Sequence, residues 1–201
     1  KTDGRITYRL AVGGVDWKFN DSLPDAPQPA SAVHEDEHGI LHVAYVDEND
    51  DLKYRYSEDN GETWTSEGTI VSGTTIKTPQ IYGDAEATVH IVCEDDGNDN
   101  IRYINNAGGG FSVKSTIGSG NHPRLHAEQQ VPGSYSTDDV LHVVWTEGHD
   151  IKYTNNASNS LGTSIDDVAS NALNNYPADL TVDSGGKVHV VYSQSNWNDI
   201  I

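Results

Sequence analysis

The sequence predicts an all-β fold, a four-bladed β-propeller of four-stranded antiparallel blades, from three observations. A histidine followed by apolar β-formers returns four times, at His42, His90, His142 and His189, spaced 48, 52 and 47 residues apart. A proline stands ahead of each unit: Pro29, Pro79, Pro123 and Pro177. Turn formers punctuate short apolar runs throughout, with 19 glycines in 201 residues, while ten tyrosines and four tryptophans supply large apolar areas.

Blade one spans 27–73. Its first strand follows Pro29 and its second is "LHVAY" from Leu41. The third is "LKYRYS", where Leu52, Tyr54 and Tyr56 alternate with Lys53, Arg55 and Ser57, the period of a half-buried strand. Asp59-Asn60-Gly61 then makes a turn, since Asp bonds its own backbone two residues on and Asn and Gly tolerate positive φ. "ETWTSEG" at 62–68 is expected to form the returning strand.

Blade two covers 77–119, with "TVHIVCEDDGNDNIRYIN" at 88–105 and "GFSVKSTIG" at 110–118. Blade three covers 121–170, with "PRLHAE" and then "VLHVVWTEGHDIKYTN". Tyr54, Tyr103 and Tyr153 follow the first three histidines at similar offsets. Blade four is split. Residues 175–201 hold a first and second strand, and 1–20 look like a third and fourth, because Ile6-Thr7-Tyr8-Arg9 matches Leu52-Lys53-Tyr54-Arg55 and Trp17 falls near the place of Trp64. An unclosed ring would leave sheet edges bare. Closure within one chain makes a ring; closure between chains makes an oligomer or filament. "NDII" at 198–201 resembles the "NDNI" at 98–101 that leads into a third strand, and competes for the same edge.

Ser57, Asp59, Gly61, Thr63 and Trp64 spell S-x-D-x-G-x-T-W. This spacing resembles the Asp-box of sialidases and other secreted β-propellers. The resemblance implies an extracellular or cell-surface protein and a structural corner on the outer rim, away from any active centre. Sialidases also carry three arginines that grip the substrate carboxylate, a Tyr–Glu nucleophile pair, an acid/base Asp and six blades. Arg5, Arg9, Arg55, Arg102 and Arg124 are the only arginines here, and three of them occupy or adjoin repeated third-strand positions, so no such triad can be assigned. The expectation is a protein that is not an enzyme.

Charge and composition narrow the partners. With 31 acidic against 12 basic residues the formal net charge is −19, which repels nucleic acid and anionic membranes. No apolar run reaches the roughly 18 residues of a membrane span. A chain that starts at Lys1 and has no Met reads as a processed or trimmed form. The single Cys93 excludes an internal disulfide. The strand histidines suggest a metal ring less than they suggest hydrogen bonds to a neighbouring strand's backbone. Acidic residues bunch in turns, and Asp47, Asp50, Asp95, Asp96 and Asp99 are weak Ca²⁺ candidates that do not match the spacing of a dedicated calcium loop. No other cofactor is expected. Asn20 and Asn156 begin N-x-S sequons, acceptors only in a secretory host.

The function expected is a non-enzymatic binding module for glycans. Tyr82, Tyr135, Tyr176 and Trp197 are the aromatics outside the repeated positions and the candidates to stack on sugars. The alternative is a self-assembling structural subunit with blade completion between chains. A third reading is a piece of a propeller hydrolase or lyase.

Overall fold

The computed structural model describes residues 6–12, 16–23, 30–66, 68–73, 75–128, 139–157, 160–174 and 176–194, with backbone alone at 6–23. Sixteen strands make up the described regular structure. The first pair is β1 (Ile6–Val12) and β2 (Asp16–Leu23), an antiparallel hairpin. Blade one is β3 (Ser31–Glu35), β4 (Leu41–Val46), β5 (Leu52–Ser57) and β6 (Gly68–Val71). Blade two is β7 (Ile76–Gly83), β8 (Val89–Asp95), β9 (Asn100–Asn105) and β10 (Ser112–Ser119). Blade three is β11 (Asn121–Glu128), β12 (Val140–Glu147), β13 (Asp150–Asn155) and β14 (Asp166–Ala169). A second hairpin, β15 (Asp179–Val182) and β16 (Val188–Val191), begins the fourth blade.

Each complete blade is a meander in chain order, every neighbour antiparallel. The chain is thus an all-β propeller. The two half-blades stand as separate two-stranded sheets, and among the described residues no ladder joins β1 to β16. No helix of the described residues is long and apolar enough to cross a membrane.

Burial explains why the second strand of each blade is the most apolar. All six residues of β4 are buried, since both faces meet a neighbour. Ala44 and Val46 pack with Ile76, Ile81 and Ile91 of blade two, while Val43 and Tyr45 pack with Trp64 on the opposite face. The same logic gives one core between blades two and three, around Val92, Leu141 and Trp145, and another between blade three and β15–β16, around Val144, Ile151 and Leu180. Burying one such aliphatic side chain contributes about 1.5–3 kcal/mol. The blades are therefore joined mainly by apolar faces, and hydrogen bonds run mostly within a blade.

The corner of blade one differs from the sequence expectation in one respect. The returning strand starts at Gly68, not at Glu62. Asp59 accepts from the Thr63 amide at 2.8 Å and from the Thr63 hydroxyl at 2.6 Å, and Ser57 Oγ donates to Asp59 at 2.8 Å. These bonds hold 57–63 in a tight coil, helped by positive φ at Asn60 and Gly61. They also hold the Asp59 carboxyl down to about 2, with the Thr63 hydroxyl the main cause. Only beyond Trp64 is the chain free to rejoin the sheet, with Gly68 opposite Tyr54.

Candidate functional site

The inner strands β7 and β11 both open with a strained step. Thr78 and His122 precede Pro79 and Pro123, and both have positive φ, 45° and 53°. A β-branched residue rarely adopts that region, and such a residue costs on the order of 1–3 kcal/mol. Each step coincides with a register shift, between Lys77 and Gln80 and between Asn121 and Arg124. Buried Glu94 links the two, since one carboxylate oxygen accepts from the His122 amide at 3.0 Å and from the Thr78 hydroxyl at 3.4 Å. The shared device re-aims the residues after each proline.

Those residues line the larger of the cavities described, about 640 Å³, where β3, β7 and β11 begin. Its polar wall is Asp50, Lys77, Thr78, Gln80 and Arg124. Gln80 and Arg124 each fold back onto the carbonyl of the proline before them, at 2.9 and 3.0 Å. Among the described residues Arg124 has no carboxylate partner, so most of its five N–H donors remain available. Lys77 is bound to Asp96 at 2.6 Å, which raises its pKa. Sequence reasoning took Arg124 only as one of five scattered arginines; its position directly after a repeated proline was the available signal.

The repeated histidines do not form a metal ring. They hydrogen-bond to side chains, not to a neighbouring strand's backbone. His42, His90 and His142 place Nδ1 2.7 Å from the hydroxyls of Tyr54, Tyr103 and Tyr153. On the other side, His42 Nε2 meets Asp36 at 3.1 Å, His90 Nε2 meets Asp84 at 2.9 Å and His189 Nε2 meets Asp183 at 3.0 Å. A carboxylate only accepts, so Nε2–H donates to it and Nδ1 accepts from the tyrosine. The other carboxylate oxygen closes the preceding turn, as Asp36 does for the amides of His38 and Ile40. Burial pushes the Asp36 carboxyl up, but His42 and those amides outweigh it and the net shift is down. The aspartate lies six residues before its histidine in three units, at 36, 84 and 183, a spacing visible in the sequence.

The remaining candidates are placed as follows. Tyr82 is 7% exposed, donates its hydroxyl to Asp139 at 2.7 Å and has its ring 4.5 Å from that of His34. It is packed between blades. Tyr176 is 57% exposed, and its carbonyl accepts from the Thr146 hydroxyl at 2.9 Å. Tyr135 and Trp197 lie outside the described residues, as does the side chain of Asn20. Asn156 is half-buried, and its carbonyl oxygen accepts from the Leu141 amide at 2.7 Å.

Of the acidic turn residues, Asp47 accepts from the amides of Asn49 and Asp51 and pairs with Lys53 at 3.1 Å. Asp95 is fully buried against Arg102, and Asp96 holds Lys77. Asp50 and Asp99 adopt positive φ in their turns. Among the described residues no three His, Cys, Asp or Glu side chains are grouped to hold a metal ion. Burial pushes the Cys93 thiol up to about 12, so it stays a thiol at neutral pH.

No protein-family model matches the chain. No curated protein matches it either. Solved structures do. A NanB sialidase from Streptococcus pneumoniae superimposes with a TM-score of 0.62 at 16% identity, over 95% of this chain and 33% of that one. An intramolecular trans-sialidase from Ruminococcus gnavus gives 0.61 at 15% identity, over 94% and 46%. A protein of unknown function from Dyadobacter fermentans gives 0.59 at 17% identity, over 92% and 62%. The chain therefore spans less than two thirds of the length of these neighbours. At such identities the likeness shows the fold: this chain has the propeller fold of the sialidases.

Proposed function

We propose that the chain is a non-catalytic, glycan-binding propeller that works outside the cell or at its surface. The observation that carries this reading is the cavity where β3, β7 and β11 begin. Gln80 and Arg124 offer it hydrogen-bond donors suited to sugar hydroxyls, and the Thr78 hydroxyl oxygen an acceptor, on a wall of inner strands. Two structural neighbours are named as a sialidase and a trans-sialidase, which favours a glycan as ligand. Glycoside hydrolysis ordinarily uses two carboxyl groups flanking the bond. Among the described lining residues Asp50 is the one carboxylate.

A glycan array followed by calorimetry tests the reading. Wild-type protein is expected to saturate with at least one glycan, and Gln80→Ala and Arg124→Ala to weaken it about tenfold each. Fluorogenic sialosides are expected to stay intact. Turnover abolished by Asp50→Asn would replace the reading with an enzyme.

A second reading, self-assembly through the split blade, rests on Val191. It is 69% exposed, whereas its counterparts two residues after each histidine, Ala44, Val92 and Val144, are all 0% exposed. Among the described residues no third strand pairs with the outer edge of β16. Sedimentation of a large particle without any sugar would favour this reading.

A further inference from the structure

We propose a second sugar subsite, for an acidic sugar residue such as a uronate, in the groove between blades two and three. This extends the glycan reading to a different place on the molecule, but its chemistry is argued from the groove alone. The groove encloses about 400 Å³ and is lined by Tyr103, Asn105, Lys114, Ser115, Asn156, Ser160 and Leu161. A volume of that size suits a small ligand.

The groove lies where one residue differs between blades. Phe111 stands six residues after Asn105 in blade two, and Leu161 stands six after Asn155 in blade three. Phe111 reaches across to blade one and meets Tyr54 edge-on, ring centroids 4.8 Å apart. The next junction repeats the arrangement with Tyr103 in place of Tyr54, but the shorter Leu161 leaves space unfilled. At the junction of blades one and two the Phe111 ring takes the corresponding place against Tyr54.

Its wall carries the groups that a sugar uses. The Tyr103 ring and Leu161 give an apolar patch for the C–H face of a pyranose. The Tyr103 hydroxyl is already engaged by His90 and Asn105, which fixes the ring. The carbonyl oxygen of Asn156 is held by the Leu141 amide, so its NH₂ is oriented with both donors free among the described residues. Ser115 and Ser160 add hydroxyls. Lys114 is the one charged residue of the lining and has no carboxylate partner among the described residues, in a chain of net charge −19. A sugar with a carboxylate satisfies that cation, and a neutral sugar does not.

The test uses the 201-residue protein made without N-glycosylation, because Asn156 begins a sequon. Sodium glucuronate, sodium galacturonate and methyl glucoside are titrated by NMR. The wild type is expected to bind a uronate at least tenfold more tightly than methyl glucoside. Lys114→Gln, at an exposed position, is expected to remove that preference. Leu161→Phe, which copies the Phe111 plug, is expected to abolish uronate binding, with circular dichroism as the check on folding. If Leu161→Phe does not fold, Lys114→Gln decides. Loss in Arg124→Ala alone would overturn the groove and leave the first cavity as the glycan site. No uronate binding to the wild type overturns the groove, and no binding of any glycan on the array overturns the first cavity.

Discussion

His142 Nε2 lies 3.9 Å from the Glu128 carboxylate, beyond hydrogen-bond reach, where His42 and His90 meet an aspartate at 3.1 and 2.9 Å. Blade three has Ser136 where the other units have an aspartate six residues ahead of the histidine. His142 Nε2 is buried without a hydrogen-bond partner among the described residues. Burial first, and the neighbouring His126 second, hold the His142 pKa down to about 4.

This makes His142 an acid-sensitive point of the fold. An unfolded histidine protonates near 6.5. Folded His142 resists down to about 4, so between those values the unfolded chain binds a proton that the folded chain does not. Stability is therefore full above about 6.5, declines as pH falls, and loses on the order of 2–3 kcal/mol by pH 4 from this group. Urea titrations at pH 7, 5.5 and 4 measure it. His142→Gln, which does not titrate, is expected to flatten the slope over that interval.

The relay in blade two predicts a graded response. Tyr103→Phe removes two hydrogen bonds, the one it donates to His90 and the one it accepts from Asn105, and is expected to cost about 1 kcal/mol. Asp84→Ala removes three, two from backbone amides and one from His90, and is expected to cost about 2 kcal/mol or more. Equal costs in denaturant unfolding would mean that the aspartate is not the organiser of the turn.

Gly120 tests how closely the blades approach. Its φ is 127°, and an added Cβ would lie 2.3 Å from the Thr146 carbonyl oxygen, which is backbone and cannot rotate away. Gly120→Ala is expected to lower the melting temperature by more than any other single Gly→Ala change at an unstrained turn such as Gly108, which has nothing within 4 Å.

The split blade is tested by covalent capture. One cysteine in 5–11 and one in 187–193, in a Cys93→Ser background, should crosslink within a monomer if the N-terminal hairpin completes the blade of β15–β16. A ladder of crosslinked multimers would instead place strand exchange between chains. Absence of both would leave Val191 without the covering strand that its counterparts have.

The repeat was legible because the second strand of each complete blade is buried on both faces, and that burial imposes His-Val/Ile runs at fixed spacing. Ser57–Trp64 was legible as a corner because its bonds are local. Tyr82 was misjudged for a physical reason. A residue outside the repeat was expected to be free for a ligand, but it can equally meet a neighbour peculiar to one junction, as Tyr82 meets Asp139. The first cavity was not legible at all, since its wall draws on residues from Ala30 to Arg124 in three blades. Leu161 gave no signal by itself; only the Phe111–Tyr54 contact one junction earlier shows what it fails to fill.

The most direct measurement is a saturation-transfer NMR time course of the wild-type protein with the glycans selected on the array. Binding without cleavage predicts magnetisation transfer from protein to sugar, reduced in Arg124→Ala, with the sugar spectrum unchanged over hours. New anomeric signals would contradict it, and so would the absence of transfer to every sugar tested.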